Sequence, residues 1–302
     1  PADRKSKIKI NVVIEKNNKI LKKLKFEEQK NNIEITNLKL NNKNKISDFK
    51  KILIFTFKNK SVNNNFEIIK KNKKINILGT KYDATFFFKN LNSGNKLNIF
   101  NKNFNGDINF KIKEIINNEE DTMFDFNGSG KIKFGKFYKL NAKSNFSNTD
   151  ILEIDLTTNN SNLKNLFIYS DRAKPFVNSF NFIKGFSEGK LEYISYYDDK
   201  SSKSNLKIYD FKVNNVPVLA KLLSLASLQG IADILTGEGI RFKEFDLDFE
   251  SKDKLVTINE MYAIGPAISI LMNGYIKKNE LISLRGTLVP ATTINKAIGT
   301  IP

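Results

Sequence analysis

Few residues in this chain are spaced for chemistry. Gly128-Ser129-Gly130-Lys131 has the texture of a phosphate-binding loop. That pattern requires Gly where Asp125 stands and Ser or Thr where Ile132 stands, so the segment is expected to be a strand–strand turn. Gly237-Glu238-Gly239 lacks the third glycine of a dinucleotide site and reads as a helix stop. Glu119-Glu120-Asp121 and Asp198-Asp199 are carboxylate pairs of the kind a hard cation takes, but adjacent acids in hydrophilic loops are ordinarily solvated. None of the 302 residues is Cys or His. Disulfides, thiolate nucleophiles, His-based triads and the usual zinc and haem ligand sets are thereby excluded. The remaining carboxylates, Lys, Tyr and Ser form no catalytic motif. The chain is read as a non-enzyme that uses no cofactor and no metal.

Charge suggests the sign of a partner and little else. Fifty Lys and Arg stand against 32 Asp and Glu, a net charge of +18, which favours anionic partners. Lys, Asn, Ile and Phe are over-used together and Arg is scarce beside Lys, as coding bias toward AT-rich codons would also produce. Lys131-Ile-Lys-Phe-Gly-Lys-Phe-Tyr-Lys139 interleaves bases with aromatics in the manner of a nucleic-acid-stacking strand. The same texture recurs along the whole chain, and nucleic acid is disfavoured as a partner.

The elements that must carry these residues are strands. Ile8, Ile10, Val12 and Ile14 alternate with Lys9, Asn11 and Val13; Ile108, Phe110 and Ile112 alternate with Asn109, Lys111 and Lys113. Leu152, Ile154 and Leu156 enclose Glu153 and Asp155, and Phe245, Leu247 and Phe249 enclose Asp246 and Asp248. Each run places apolar side chains on one face of a strand and mostly polar ones on the other. Similar runs occupy 33–40, 50–57, 66–70, 75–79, 84–88, 131–140, 188–195, 206–213, 255–264, 268–276 and 281–289, separated by Asn, Gly, Asp, Ser and Lys clusters. Two segments read as helices, 173–182 and 217–235. The second opens at Asn214-Asn215-Val216-Pro217 and is apolar almost all round, with Lys221, Gln229 and Asp233 interrupting it, as suits a buried or end-capping helix.

Two helices cannot cover so many apolar strand faces. The sheet must fold over as a sandwich or barrel, or curl into a trough whose lining meets a ligand. A weak boundary at Thr157–Asn162 divides the chain into 1–160 and 161–302. No stretch of eighteen apolar residues reads as a membrane span, and no signal peptide is present.

The segment 205–302 resembles the AsmA-like C-terminal region of large bacterial envelope proteins, the YhdP/TamB-related group. The likeness is carried by Phe211 to Ile240, by Phe242 and Phe245, by Ile264-Gly-Pro-Ala267, by Leu284-Arg-Gly-Thr-Leu-Val-Pro290 and by Asn295 to Pro302. Within it, Pro217, Leu222, Leu223, Leu225, Leu228, Gly237, Gly239, Gly286 and Pro290 match the family pattern as structural residues. Weaker echoes lie at Gly79-Thr-Lys-Tyr-Asp83 and around Ser170-Asp171 and Gly185 to Leu191.

The resemblance implies an elongated, twisted, mainly antiparallel β sheet curled into an apolar-lined, β-taco-like trough. It implies a bridge-like lipid-transport segment that shields phospholipid acyl chains between the inner and outer membranes of a Gram-negative envelope. The alternative is a non-transporting scaffold or outer-membrane assembly factor. Phospholipids and envelope proteins of both membranes are then the partners. The location is periplasmic, with the inner-membrane anchor in a segment absent from this chain. The inward residues named above, Ile108, Phe110, Ile112, Leu152, Ile154, Leu156, Phe245, Leu247 and Phe249, are the expected groove lining.

Overall fold

The computed structural model describes residues 6–15, 18–41, 46–58, 60–86, 102–117, 122–179, 185–214, 239–277 and 281–290. Among them the fold is almost entirely β, and the chain divides into two compact units, Pro1–Asn148 and Thr149–Pro302. The strand 151–158, grouped with the first part by the sequence boundary at 160, belongs to the second unit.

In the first unit β1 (Ser6–Glu15), β2 (Asn18–Glu28) and β3 (Asn31–Leu40) form an antiparallel meander. Next, β4 (Ile46–Asp48) and β5 (Lys51–Lys58) pair with the same edge of β3, through Lys39↔Asp48 and Thr36↔Lys51. They are one strand interrupted at Phe49-Lys50, and the interruption lies across from Asn37, whose φ is 50°. The antiparallel order continues through β6 (Ser61–Lys71) and β7 (Lys74–Asp83). The next strand, β8 (Gly106–Ile116), pairs with β7 in parallel, so the chain between them returns to its starting end. A hairpin of β9 (Thr122–Lys133) and β10 (Lys136–Asn145) completes the unit. Ile75, Ile108 and Ile132 form its buried core, with Ile68, Ile77, Phe110 and Phe137 packed against them.

The second unit is an antiparallel meander in chain order. It comprises β11 (Ile151–Thr158), β12 (Lys164–Ser170), β13 (Phe186–Tyr197), β14 (Ser201–Val213), β15 (Ile240–Lys252), β16 (Leu255–Ile264), β17 (Ile268–Lys277) and β18 (Leu281–Pro290). Among the described residues no register joins β18 to β11, so this sheet stays open rather than closing into a barrel. The short helix α1 (Lys174–Ser179) leaves β12 and sets Ala173 and Val177 against Phe186, Phe211, Phe242 and Ile268. Phe211 stacks on both Phe186 and Phe242, with ring centroids 5.2 Å apart in each pair.

Several local expectations are corrected. Gly128-Ser129-Gly130 lies inside β9, not in a turn. Gly128 faces Ala142 across the ladder and Gly130 lies against Ile108, where a close approach suits a residue without a side chain. The 131–140 run is broken by a two-residue turn at Phe134-Gly135, whose φ values of 51° and 72° match the twist a tight hairpin needs. The 84–88 run does not continue as a strand at Ala84–Phe86. The Asp83 carboxylate accepts the Thr85 N–H at 3.0 Å, and Thr85-Phe86 begin a helical turn. The parallel pairing of β7 with β8 was not expected either. The helix expected over 173–182 is described as Lys174–Ser179, with 180–182 outside the described residues, and the helix expected over 217–235 lies wholly outside them.

Candidate functional site: the apolar face and its polar end

Because side chains alternate along a strand, residues paired across consecutive strands stand in rows on one face of the sheet. In the second unit Leu152, Ser170, Leu191, Ile208 and Phe245 are successive partners from β11 to β15. The row continues through Ala263 and Ile270 to Leu288. A second row, two residues further along each strand, runs Ile154, Ile168, Tyr193, Leu206, Leu247 and Met261. A third runs Leu156, Leu166, Ser195, Ser204, Phe249 and Ile258. The two expected triplets on β11 and β15 therefore share the same three rows on the same face.

Burial is lowest in the second row. Leu152, Leu191, Ile208 and Ala263 are buried, and Ser170 satisfies its hydroxyl on the Arg172 carbonyl at 2.7 Å. Ile154, Leu206, Leu247 and Met261 are only half-buried. Beyond them the third row brings a hydroxyl pair, Ser195 and Ser204, both buried with their oxygens 2.9 Å apart. The next partners, Lys164, Tyr197, Ser202 and Ser251, are polar or hydroxylated. An open pocket of about 400 Å³ lies at this end, between the β13–β14 and β15–β16 turns.

The first unit carries a similar face. Leu24, Ile35, Ile52, Ile68, Ile77 and Phe110 are successive partners from β2 to β8, and Phe26, Ile33, Ile54, Phe66, Gly79 and Ile112 form the adjacent row. The expected residues Ile108, Phe110 and Ile112 stand on this face. Ile108 and Ile112 are buried and Phe110 is half-buried, edge-on to Phe126.

The opposite face of the second unit is ionic. The Asp246 carboxylate accepts from Asn205 at 2.6 Å, Lys207 at 3.1 Å and Tyr262 at 3.3 Å, and Tyr262 also donates to Glu244 at 3.0 Å. Loss of solvent together with these two carboxylates pushes the Tyr262 hydroxyl up to about 12. Asp171 is desolvated, which opposes its charge. The Ile151 N–H, the Tyr169 hydroxyl and Lys190 outweigh that and hold its carboxyl below the ordinary range. These are cross-strand ties, and among the described residues no group of three or more acids could hold a metal ion.

The other singled-out residues are dispersed. Asp198 caps the β13–β14 turn by accepting the Lys200 and Ser201 N–H groups at 2.7 and 2.8 Å, while 119–121 lie outside the described residues. In the Lys131–Lys139 stretch Phe137 packs against the core, Phe134 sits exposed on the hairpin turn, and Tyr138 lies under Lys133 at 3.6 Å, so the aromatics form no common stacking platform. Among the family-pattern residues, Gly239 has φ 80° and abuts the Asn214 side chain, and Gly286 sits against the Leu271 carbonyl where a Cβ would collide. Pro290 closes β18 opposite Ile268. Pro217, Leu222, Leu223, Leu225, Leu228 and Gly237 lie outside the described residues. The hydroxyl cluster had a signal that periodicity of apolar residues overlooks: Ser202 and Ser204 alternate with Lys203 as regularly as any Ile–Lys run. Among the described residues no helix is long and apolar enough to cross a membrane. No family model, curated protein or solved structure matches this chain.

Proposed function

We propose that this chain is a lipid-conducting segment of a bridge-like transport protein in a Gram-negative envelope, related to the AsmA-like group. In this reading each sheet curls into a trough and phospholipid chains lie on the apolar rows while the headgroups stay in water. The observation that carries it is the alignment of half-buried, mostly aliphatic residues, Ile154, Ile168, Tyr193, Leu206, Leu247 and Met261, into one row across successive strands. Removing apolar surface from water is worth about 25 cal/mol per Å², or about 0.8 kcal/mol per methylene, so a partly enclosed chain recovers several kcal/mol of the cost of leaving a bilayer. Passage along such rows needs no bond to be made or broken. It needs a continuous apolar surface without a deep trap.

Native mass spectrometry of the detergent-free chain, with lipid extraction from the same sample, tests this. Co-purifying phospholipid that is lost in a folded Phe110→Asp variant is the expected result. A folded, lipid-free wild-type chain would overturn the reading. It would favour a scaffold that pairs strand edges with a partner protein, for which β18 offers exposed Leu281, Ile282 and Leu284 and, among the described residues, pairs with β17 alone.

A further inference from the structure

The apolar rows of the second unit change character at a defined place. Leu156 and Leu166 lead in the third row to Ser195 and Ser204, each 3% exposed. Tyr193 donates its hydroxyl to Ser204 at 3.2 Å, and the two serine oxygens share one further hydrogen bond at 2.9 Å. Three hydroxyl protons thus serve two hydrogen bonds: with Tyr193 donating to Ser204 and Ser204 to Ser195, the Ser195 O–H is left with no acceptor among the described residues. A buried hydroxyl without an acceptor is costly, which favours a ligand atom that accepts from it. Ser195 and Tyr193 both line the 400 Å³ pocket, and Leu166 forms its apolar margin.

The outer rim of the pocket supplies charge. Asp198, Asp199 and Asp253 line it against Lys200, a local excess of carboxylates in a chain whose net charge is +18. At physiological salt, charges more than about 8 Å apart are largely screened in solvent, so a group entering the pocket senses these three acids, with Lys200 in the lining and Lys164 over the Tyr197 ring, rather than the net charge of the chain. An ammonium suits the rim and an oxygen acceptor suits the hydroxyl pair. The adjoining row from Ile168 to Leu206 suits a hydrocarbon chain.

We propose that this pocket is a head-group site for an amphiphile whose polar end carries an ammonium group and a hydrogen-bond-accepting oxygen, its chain lying along the second row. The site rests on the lipid-conducting reading of the apolar face, and adds to it where the polar end stops and which charge it bears.

Three probes separate the two claims: lysophosphatidylethanolamine and lysophosphatidylglycerol of equal chain length, and dodecanol, each titrated calorimetrically into the full chain below micelle formation. The expected result is binding of all three, with the ethanolamine lipid favoured over the glycerol lipid by about tenfold, as a charge-assisted contact predicts. Ser195→Ala weakens all three, since each carries an accepting oxygen, and leaves the preference between the two lysolipids unchanged. Asp253→Asn, at a position whose φ of 56° Asn tolerates, narrows the preference between heads and serves as the second variant should Ser195→Ala fail to fold. Equal affinity of the two lysolipids, unmoved by a folded variant, overturns the head-group site while the apolar face stands. Failure of all three probes to bind overturns both.

Discussion

Ser195 on β13 and Ser204 on β14 are directly paired, their hydroxyl oxygens 2.9 Å apart, on the same face as Leu156 and Phe249. A buried polar pair inside an apolar row is stable because each hydroxyl partners the other. Ser204→Ala removes the acceptor of Tyr193 and the hydrogen-bond partner of Ser195 and is expected to cost more than Ser195→Ala. The double variant should fall short of the sum by about 1 kcal/mol, the net worth of one buried hydrogen bond. Urea unfolding of the four proteins in the cycle measures this, and strict additivity would show that the pair is uncoupled.

Ile108 is fully buried between Ile75 and Ile132, whereas Ile282 on β18 is 68% exposed. Ile108→Ala should destabilise the first unit by about 2–5 kcal/mol, since the deleted methyl groups leave a cavity in a packed core. Ile282→Ala should change stability by less than about 0.5 kcal/mol. Comparing their unfolding midpoints checks the assignment of core and rim.

Leu247 stands in the second row between Leu206 and Met261, so Leu247→Asp puts a carboxylate among apolar neighbours on the proposed lipid path. Photocrosslinking of an acyl chain to the folded variant should drop several-fold. Leu271 is on the opposite face of the same sheet and 51% exposed. Leu271→Asp should leave crosslinking intact, and equal loss in both variants would remove the face assignment.

Tyr262 ionises late, pushed up to about 12 by partial burial and by Glu244 and Asp246. A group whose folded value lies above its unfolded one contributes its stability fully below the unfolded value, near 10, and loses it as pH climbs through the folded value. The chain should therefore weaken between about pH 10 and 12. An ultraviolet tyrosinate titration should lose its most alkaline step in Tyr262→Phe. Retention of that step would assign it to another tyrosine.

Strand identity and facing were legible because they are local. The period-two runs on β1, β8, β11 and β15 name which side chains share a face without reference to any partner strand. β12 was not read as a strand, since Leu166-Phe167-Ile168-Tyr169 is continuously apolar and shows no alternation. The hairpin at Phe134-Gly135 was hidden for a related reason: an aromatic residue in a left-handed conformation carries no turn signal, while Gly128 and Gly130 inside β9 carry a false one.

What the residues alone determined is a β chain without His or Cys chemistry, with one dry and one wet side to its strands. Register was decided only by the tertiary structure. That Leu152 and Phe245 share one row, and that Leu166, Ser195 and Ser204 meet where the apolar surface ends, depends on four successive pairings, each between one strand of the meander and the next. A shift of one residue in any of them would exchange the faces of every strand beyond it. Such pairings are settled by packing summed over the whole sheet, which no single run of residues encodes.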